Sequence, residues 1–187
     1  MKTNLIIENL RGFEIKFQTR PGVFSKTGLD GGTRLLIDNL EVIDGTLIAD
    51  LGAGTGVIGL VCAKLNPSGH LHLLEDHLRS FELMKENINL NNARNAESYL
   101  SDLFSAVVKR SYHQIISNPP AQMGNDFLEE IVSESSEHLK ADGSLWVVVP
   151  GNISPVMERL FKKYFGNSKI VAHGKEHVVL KAQKNGK

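Results

Sequence analysis

The chain has 187 residues, enough to bury one substantial core. Hydrophobic residues make up 41% and charged residues 22%, the balance of a globular protein, which excludes disorder along most of its length. Its 21 basic side chains equal its 21 acidic ones, so no net positive field draws it to a polyanion. A single cysteine, Cys62, excludes an internal disulfide and a cysteine-cluster zinc site, and places the expected residence in a reducing compartment, the cytoplasm. Neither Met1–Leu10 nor the longest apolar run, Val57–Ala63, resembles a signal or a membrane span, so no membrane role is expected. Charge is uneven: residues 1–30 sum to +2, 31–158 to −9 and 159–187 to +7.

In chain order, residues 1–45 read as an N-terminal lid or hairpin docked over a sheet. Leu5–Phe17 alternates loosely, a glycine-dense link follows from Arg20 to Thr33, and a short helix is expected over Arg34–Leu40. From residue 45 onward short apolar runs alternate with helical periods, the signature of βαβ units. Strands are expected at Thr46–Leu51, His70–Glu75, Glu97–Leu100, His113–Ser117, Ser144–Val149, Lys169–His173 and His177–Lys181. Helices are expected at Gly56–Leu65, Leu78–Asn91, Asp126–Lys140 and Pro155–Phe165, the third closed by an Asp142-Gly143 turn. Only three residues separate the last two strands, which demands a hairpin and an antiparallel pair. The fold class is therefore α/β, a Rossmann-like and mostly parallel sheet closed by an antiparallel C-terminal hairpin.

The strongest local motif is Asp50-Leu51-Gly52-Ala53-Gly54-Thr55-Gly56, at a strand-to-helix turn. Its glycines let the backbone turn sharply and approach a ligand. A carboxylate just before the loop would repel a phosphate and attract an ammonium, which favours S-adenosylmethionine over a dinucleotide. Glu75 ends the next strand, where a carboxylate can accept two ribose hydroxyls, and Asp76 follows it. Asp102 follows the third strand and can meet an adenine amine or cap a helix. After the fourth strand, Asn118-Pro119-Pro120 forms a stiff pair of acceptors, an amide oxygen and a backbone carbonyl, suited to hold a planar amine.

Together these segments resemble class I S-adenosylmethionine-dependent methyltransferases of the Asn-Pro-Pro type. The residues carrying the likeness are Asp50–Gly56, Glu75 with Asn87, Ser101–Phe104 and Asn118-Pro119-Pro120. The upstream run Pro21–Asp30 is similar to that of the RsmC-like small-subunit ribosomal RNA guanine-N2 methyltransferases and their single-domain archaeal relatives. The resemblance spans about Pro21 to Lys181 and implies a seven-stranded methyltransferase fold, with 1–187 as one domain and 46–187 as its cofactor-binding core. It implies that Asp50, Gly52, Ala53, Gly54 and Gly56 line the methionine end of the cofactor, Glu75 and Asp76 the ribose, and Asp102 with Leu103 the adenine. Asn118 and Pro119 would hold the target amine beside the cofactor, and Phe24, Pro120 and Ala121 would meet the substrate. The implied partner is ribosomal RNA or the small ribosomal subunit, with rRNA processing as the setting and no metal.

One departure is Ala121, where many members carry an aromatic residue that stacks on the target base. Phe24, Phe104 and Phe127 are the candidates to replace it. Adenine-N6, a protein glutamine amide, or an RNA-binding assembly role with little activity remain alternatives. His70 and His72 share a strand face without a third ligand at fixed spacing, so no metal is expected. Arg159, Lys162, Lys163, Lys169, Lys175 and Lys181 form a basic tail that can face RNA phosphates or simply solvent.

Overall fold

A computed structural model describes residues 3–20, 28–108, 111–120 and 122–186. The chain opens with two antiparallel strands, β1 (Asn4–Leu10) and β2 (Phe13–Thr19), joined by Arg11 and Gly12. Both turn residues have positive φ, 53° and 85°, the requirement of the two-residue hairpin turn whose twist matches its strands. The hairpin packs β2 against helices α2 (Val57–Leu65) and α3 (Leu78–Leu90), and its Leu10, Ile15 and Phe17 join one buried core with Ile48, Leu71 and Leu73. Its turn also reaches α1 (Gly31–Asn39): Arg11 Nη1 donates to the carbonyls of Ile37 and Leu40, each at 2.9 Å, and so satisfies that helix's last turn.

Helix α1 begins three residues before the expected Arg34, inside the glycine-dense link. Asp30 caps it, accepting from the Thr33 backbone N–H, and Gly31 and Gly32 form its first turn. At Gly32 a Cβ atom would stand 2.9 Å from the His177 ring, so glycine lets α1 press against the sheet.

Behind these elements lies the sheet, made of β3 (Leu47–Leu51), β4 (His70–Glu75), β5 (Ala96–Leu100), β6 (Tyr112–Ser117), β7 (Leu139–Pro150), β8 (Lys169–His173) and β9 (His177–Gln183). Their order is β5-β4-β3-β6-β7-β9-β8, parallel from β5 to β7, with β9 antiparallel to both its neighbours. The expected Rossmann-like sheet and terminal hairpin are both present. Among the strands one boundary differs by more than two residues: β7 begins five residues before the expected Ser144 and runs through Asp142-Gly143. Asp142 bulges with φ 62°, and the Asp142 and Lys184 N–H groups donate to the Lys184 and Gly143 carbonyls, so pairing continues where a turn was expected.

Burial divides into two cores. Ile48, Leu71, Leu73, Trp146 and Val179 face the hairpin, α1, α2 and α3. Leu51, Ile115, Val147, Val149 and Leu180 face helices α4 (Asn125–His138) and α5 (Ser154–Phe165) on the other side. Covering both faces is what a parallel sheet requires. Chain order reverses between β3 and β6: β4 and β5 extend to one side, β6 and β7 to the other. The crevice at the carboxyl ends of β3 and β6 is the place where such sheets bind ligands.

Candidate active site

A cavity of about 200 Å³ opens at that reversal. The glycine loop after β3, the acids after β4, the turn after β5 and the Asn-Pro-Pro corner after β6 all contribute to its wall. Each predicted segment thus reaches one space, although no two of them adjoin in sequence.

The loop holds its shape through backbone conformation. Gly52, Gly54 and Gly56 have φ of 69°, 58° and 84°, a region closed to most side-chain-bearing residues. Gly52 and Ala53 donate to the Leu74 carbonyl at 2.9 and 3.0 Å, so the loop is strapped across the end of β4. Gly56 caps α2, whose N-terminus carries the positive end of the helix dipole.

Glu75 is 6% exposed and lines the wall. Its two oxygens accept from the Gly54 N–H at 2.7 Å and the His77 N–H at 3.0 Å. Each oxygen keeps a second lone pair, so the carboxylate can still accept a diol while it braces the loop. Burial pushes its pKa up, against those two bonds that pull it down. Asp76 and Asp102 stand exposed at the cavity wall, within reach of a ligand's polar edge. No helix follows Asp102; Ser101 Oγ instead donates to the Leu103 carbonyl at 2.8 Å and accepts from Ala106 N–H at 3.0 Å. That clamp holds Leu103, buried at φ 43°, against the cavity.

Asp50 and Gly56 stand behind the wall rather than in it. Asp50 is 1% exposed; its Oδ2 accepts from Gly59 N–H at 2.8 Å, fastening α2 to β3, while Oδ1 has no partner among the described residues. Burial, with the charge of Glu75 nearby, raises its pKa from 3.8 to about 7. This orphaned carboxylate oxygen, behind a loop left open at Gly52 and Gly54, fits a ligand whose ammonium or N–H groups reach the loop.

At the corner, Asn118, Pro119 and Pro120 all line the cavity. The strand end beneath them is pinned by Ser117 Oγ, which donates to the Leu51 carbonyl at 2.9 Å. The Asn118 Nδ2 donates to Thr33 Oγ1 at 2.8 Å.

Several wall residues escaped the sequence reading: Phe17 from β2, Leu29, Asp30 and Thr33 at the start of α1, and Met123. Phe127 of α4 lines the wall, half-buried, whereas Phe104 does not; it stacks on His138 at 4.1 Å between ring centres. Phe24 and Ala121 lie outside the described residues.

Elsewhere the structure supplies the third ligand atom that sequence spacing lacked, since His70, His72 and Glu97 bring theirs within 4.8 Å of one another. These groups already satisfy each other and their neighbours. His70 Nε2 lies 3.1 Å from Glu97, and His72 Nδ1 lies 2.8 Å from the Tyr112 hydroxyl. Among the described residues no helix is long and apolar enough to cross a membrane.

Residues 14–181 match the model of the methyltransferase small domain family. The chain belongs to this family. It is 35% identical over 179 residues to YbxB of Bacillus subtilis (strain 168), an uncharacterized protein, covering 94% of this chain and 89% of that one. It is 33% identical over 180 residues to ribosomal RNA small subunit methyltransferase C of Vibrio cholerae, covering 93% of this chain and 51% of the relative. The T. thermophilus 16S rRNA N2 G1207 methyltransferase (RsmC), solved in complex with AdoMet and guanosine, superposes with a TM-score of 0.86 at 25% identity. That match covers 98% of this chain and 51% of the other. The chain thus spans about half the length of these rRNA methyltransferase relatives.

Proposed function

We propose that this chain is an S-adenosylmethionine-dependent methyltransferase acting on an exocyclic base amine of small-subunit ribosomal RNA, with guanine-N2 as the acceptor. One observation carries this reading: Asn118 and Pro119 face the same cavity as the glycine loop and Glu75, so an amine acceptor and a cofactor cradle share one space. The likeness to the two rRNA methyltransferases supports the choice of RNA.

Glu75 would hold the ribose diol, Asp76 and Asp102 the polar edges beyond it, and the glycine loop the amino-acid end. The cofactor, when bound, supplies an electrophilic methyl group. Asn118 Oδ1 and the Pro119 carbonyl accept the two amine hydrogens, which turns the nitrogen lone pair toward that group. Such catalysis is positional. Phe127, beside Pro120 and Met123, offers the aromatic face for a base.

Calorimetric titration with S-adenosylhomocysteine, followed by transfer of labelled methyl to small-subunit particles, naked rRNA and protein fractions, tests the assignment. Label on guanine N2 supports it. Label on adenine N6 or glutamine, or salt-dependent RNA binding without label, overturns the acceptor in favour of those readings.

A further inference from the structure

Asn118 is an amide, and its two ends are opposite in character: oxygen accepts, NH2 donates. An acceptor site for an amine needs the oxygen turned inward, yet the two orientations have nearly the same shape. Sequence offers nothing that selects one. The structure does, through a helix cap 88 residues upstream.

Asp30 caps α1 with both carboxylate oxygens: Oδ1 accepts from Thr33 N–H at 3.0 Å and Oδ2 accepts from Thr33 Oγ1–H. A carboxylate only accepts, so the single hydroxyl proton of Thr33 is committed to Asp30. What Thr33 Oγ1 presents to Asn118 is therefore a lone pair. Only the NH2 end of the amide can meet it, and Nδ2 does so at 2.8 Å. Asn118 Oδ1 is then left to the cavity, with no partner among the described residues. Thr33 is 7% exposed, so water competes weakly for this bond.

We propose that Asp30 and Thr33 are positioning residues that lock the Asn118 amide with its oxygen toward the substrate, so that the polarity of the amine site is set by the cap of α1. This rests on the reading of Asn118 as the amine acceptor. A reversed amide would set NH2 against NH2 and leave donors facing one another without an acceptor.

Substituting Asp30→Asn tests the lock, because asparagine is an equally good cap and preserves α1. Its oxygen can still accept from Thr33 N–H, but its NH2 now donates to Thr33 Oγ1. The hydroxyl proton is released toward Asn118, and the amide turns over. Methyl transfer to rRNA should fall about tenfold or more in kcat, with the unfolding midpoint unchanged. Thr33→Val should do the same, and Thr33→Ser should restore the rate.

The readout independent of turnover is the Asn118 side-chain NH2 pair in nitrogen-15 NMR spectra, assigned by its loss in Asn118→Asp. In the wild type one of its protons exchanges slowly behind Thr33; in Asp30→Asn and Thr33→Val that protection disappears. Wild-type exchange and turnover in Thr33→Val would overturn the lock. If instead protection is lost as expected while Asn118→Ala transfers methyl at the wild-type rate, the lock stands and the acceptor role of Asn118 falls.

Discussion

Asn87 and Asn91 lie one helical turn apart at the end of α3, and each grips one backbone residue of β2 with both ends of its amide. Asn87 Oδ1 accepts from Gln18 N–H at 2.7 Å, and its Nδ2 donates to the Gln18 carbonyl at 3.2 Å. Asn91 treats Lys16 in the same way, its Oδ1 accepting from the N–H at 3.0 Å. Four helical residues rise about 6.0 Å and two strand residues about 6.6 Å, so the helix presents amides at nearly the strand's own repeat. Asn87 Nδ2 also donates to the Thr55 carbonyl at 2.9 Å, which ties the hairpin to the glycine loop. Replacing Asn87 with Ala should cost about 1–3 kcal/mol of stability, measured by urea unfolding, because the partner groups lose their bonds inside a packed contact. Asn91→Ala should cost a similar amount yet leave S-adenosylhomocysteine binding intact, since it has no bond to the loop.

Asp50 predicts a pH dependence of defined sign. In the unfolded chain its carboxyl loses its proton near the ordinary 3.8; in the folded chain it keeps the proton to about pH 7. Between those values the folded state binds the extra proton, so this group's contribution to stability falls as pH rises from about 4 to 7. A cationic ligand favours the ionised form, and its binding should release a proton near neutrality. Calorimetry of S-adenosylhomocysteine in buffers of different ionisation enthalpy reads that proton, and Asp50→Asn should abolish both effects while keeping the bond to Gly59.

Glu75 both braces the loop and faces the cavity, so its removal should act on binding. Glu75→Ala strips the acceptor from Gly54 N–H and His77 N–H as well as from the ligand. An affinity loss of about 10- to 100-fold for S-adenosylhomocysteine is expected, on the scale of one or two charge-assisted hydrogen bonds. Glu75→Gln keeps one acceptor for the backbone and should lose less.

Phe127, half-buried at the cavity wall, is a described aromatic residue that can serve where Ala121 cannot. Stacking is worth about 1–3 kcal/mol per base, so Phe127→Ala should raise KM for RNA some 5- to 150-fold with a smaller change in kcat. Equal affinity of wild type and variant, measured by filter binding, would remove Phe127 from the base site.

Most of the parallel sheet was legible because its strands, buried on both faces, are short apolar runs between helical periods. The site segments were legible for a related reason: each sits at the carboxyl end of a strand, where loop chemistry is concentrated. Other features depended on contacts distant in sequence. Gly32 looks like part of a linker until the His177 ring is seen pressing on it. Asp142-Gly143 is good turn chemistry, overridden by pairing with the far end of the chain at Lys184. The bond from Asn118 to Thr33 crosses 85 residues, and no local pattern announces it.

The basic tail also acquires a different meaning in three dimensions. Lys163 pairs with Glu129, Lys181 pairs with Glu41 and covers the Trp146 ring, and Lys184 donates to the Ser136 and Leu139 carbonyls. Lys175, in the turn before His177, stands at the cavity end of the sheet, because His177 pairs with Pro150 at the carboxyl terminus of β7. Of the seven described cations of that tail, Lys163, Lys181 and Lys184 are engaged within the chain, and Arg159, Lys162, Lys169 and Lys175 stay exposed. The share of the affinity that Lys175 contributes at the cavity end should change about three- to fourfold between 50 and 200 mM salt. A nucleotide would be drawn to this end of the molecule by fit at short range more than by attraction from afar.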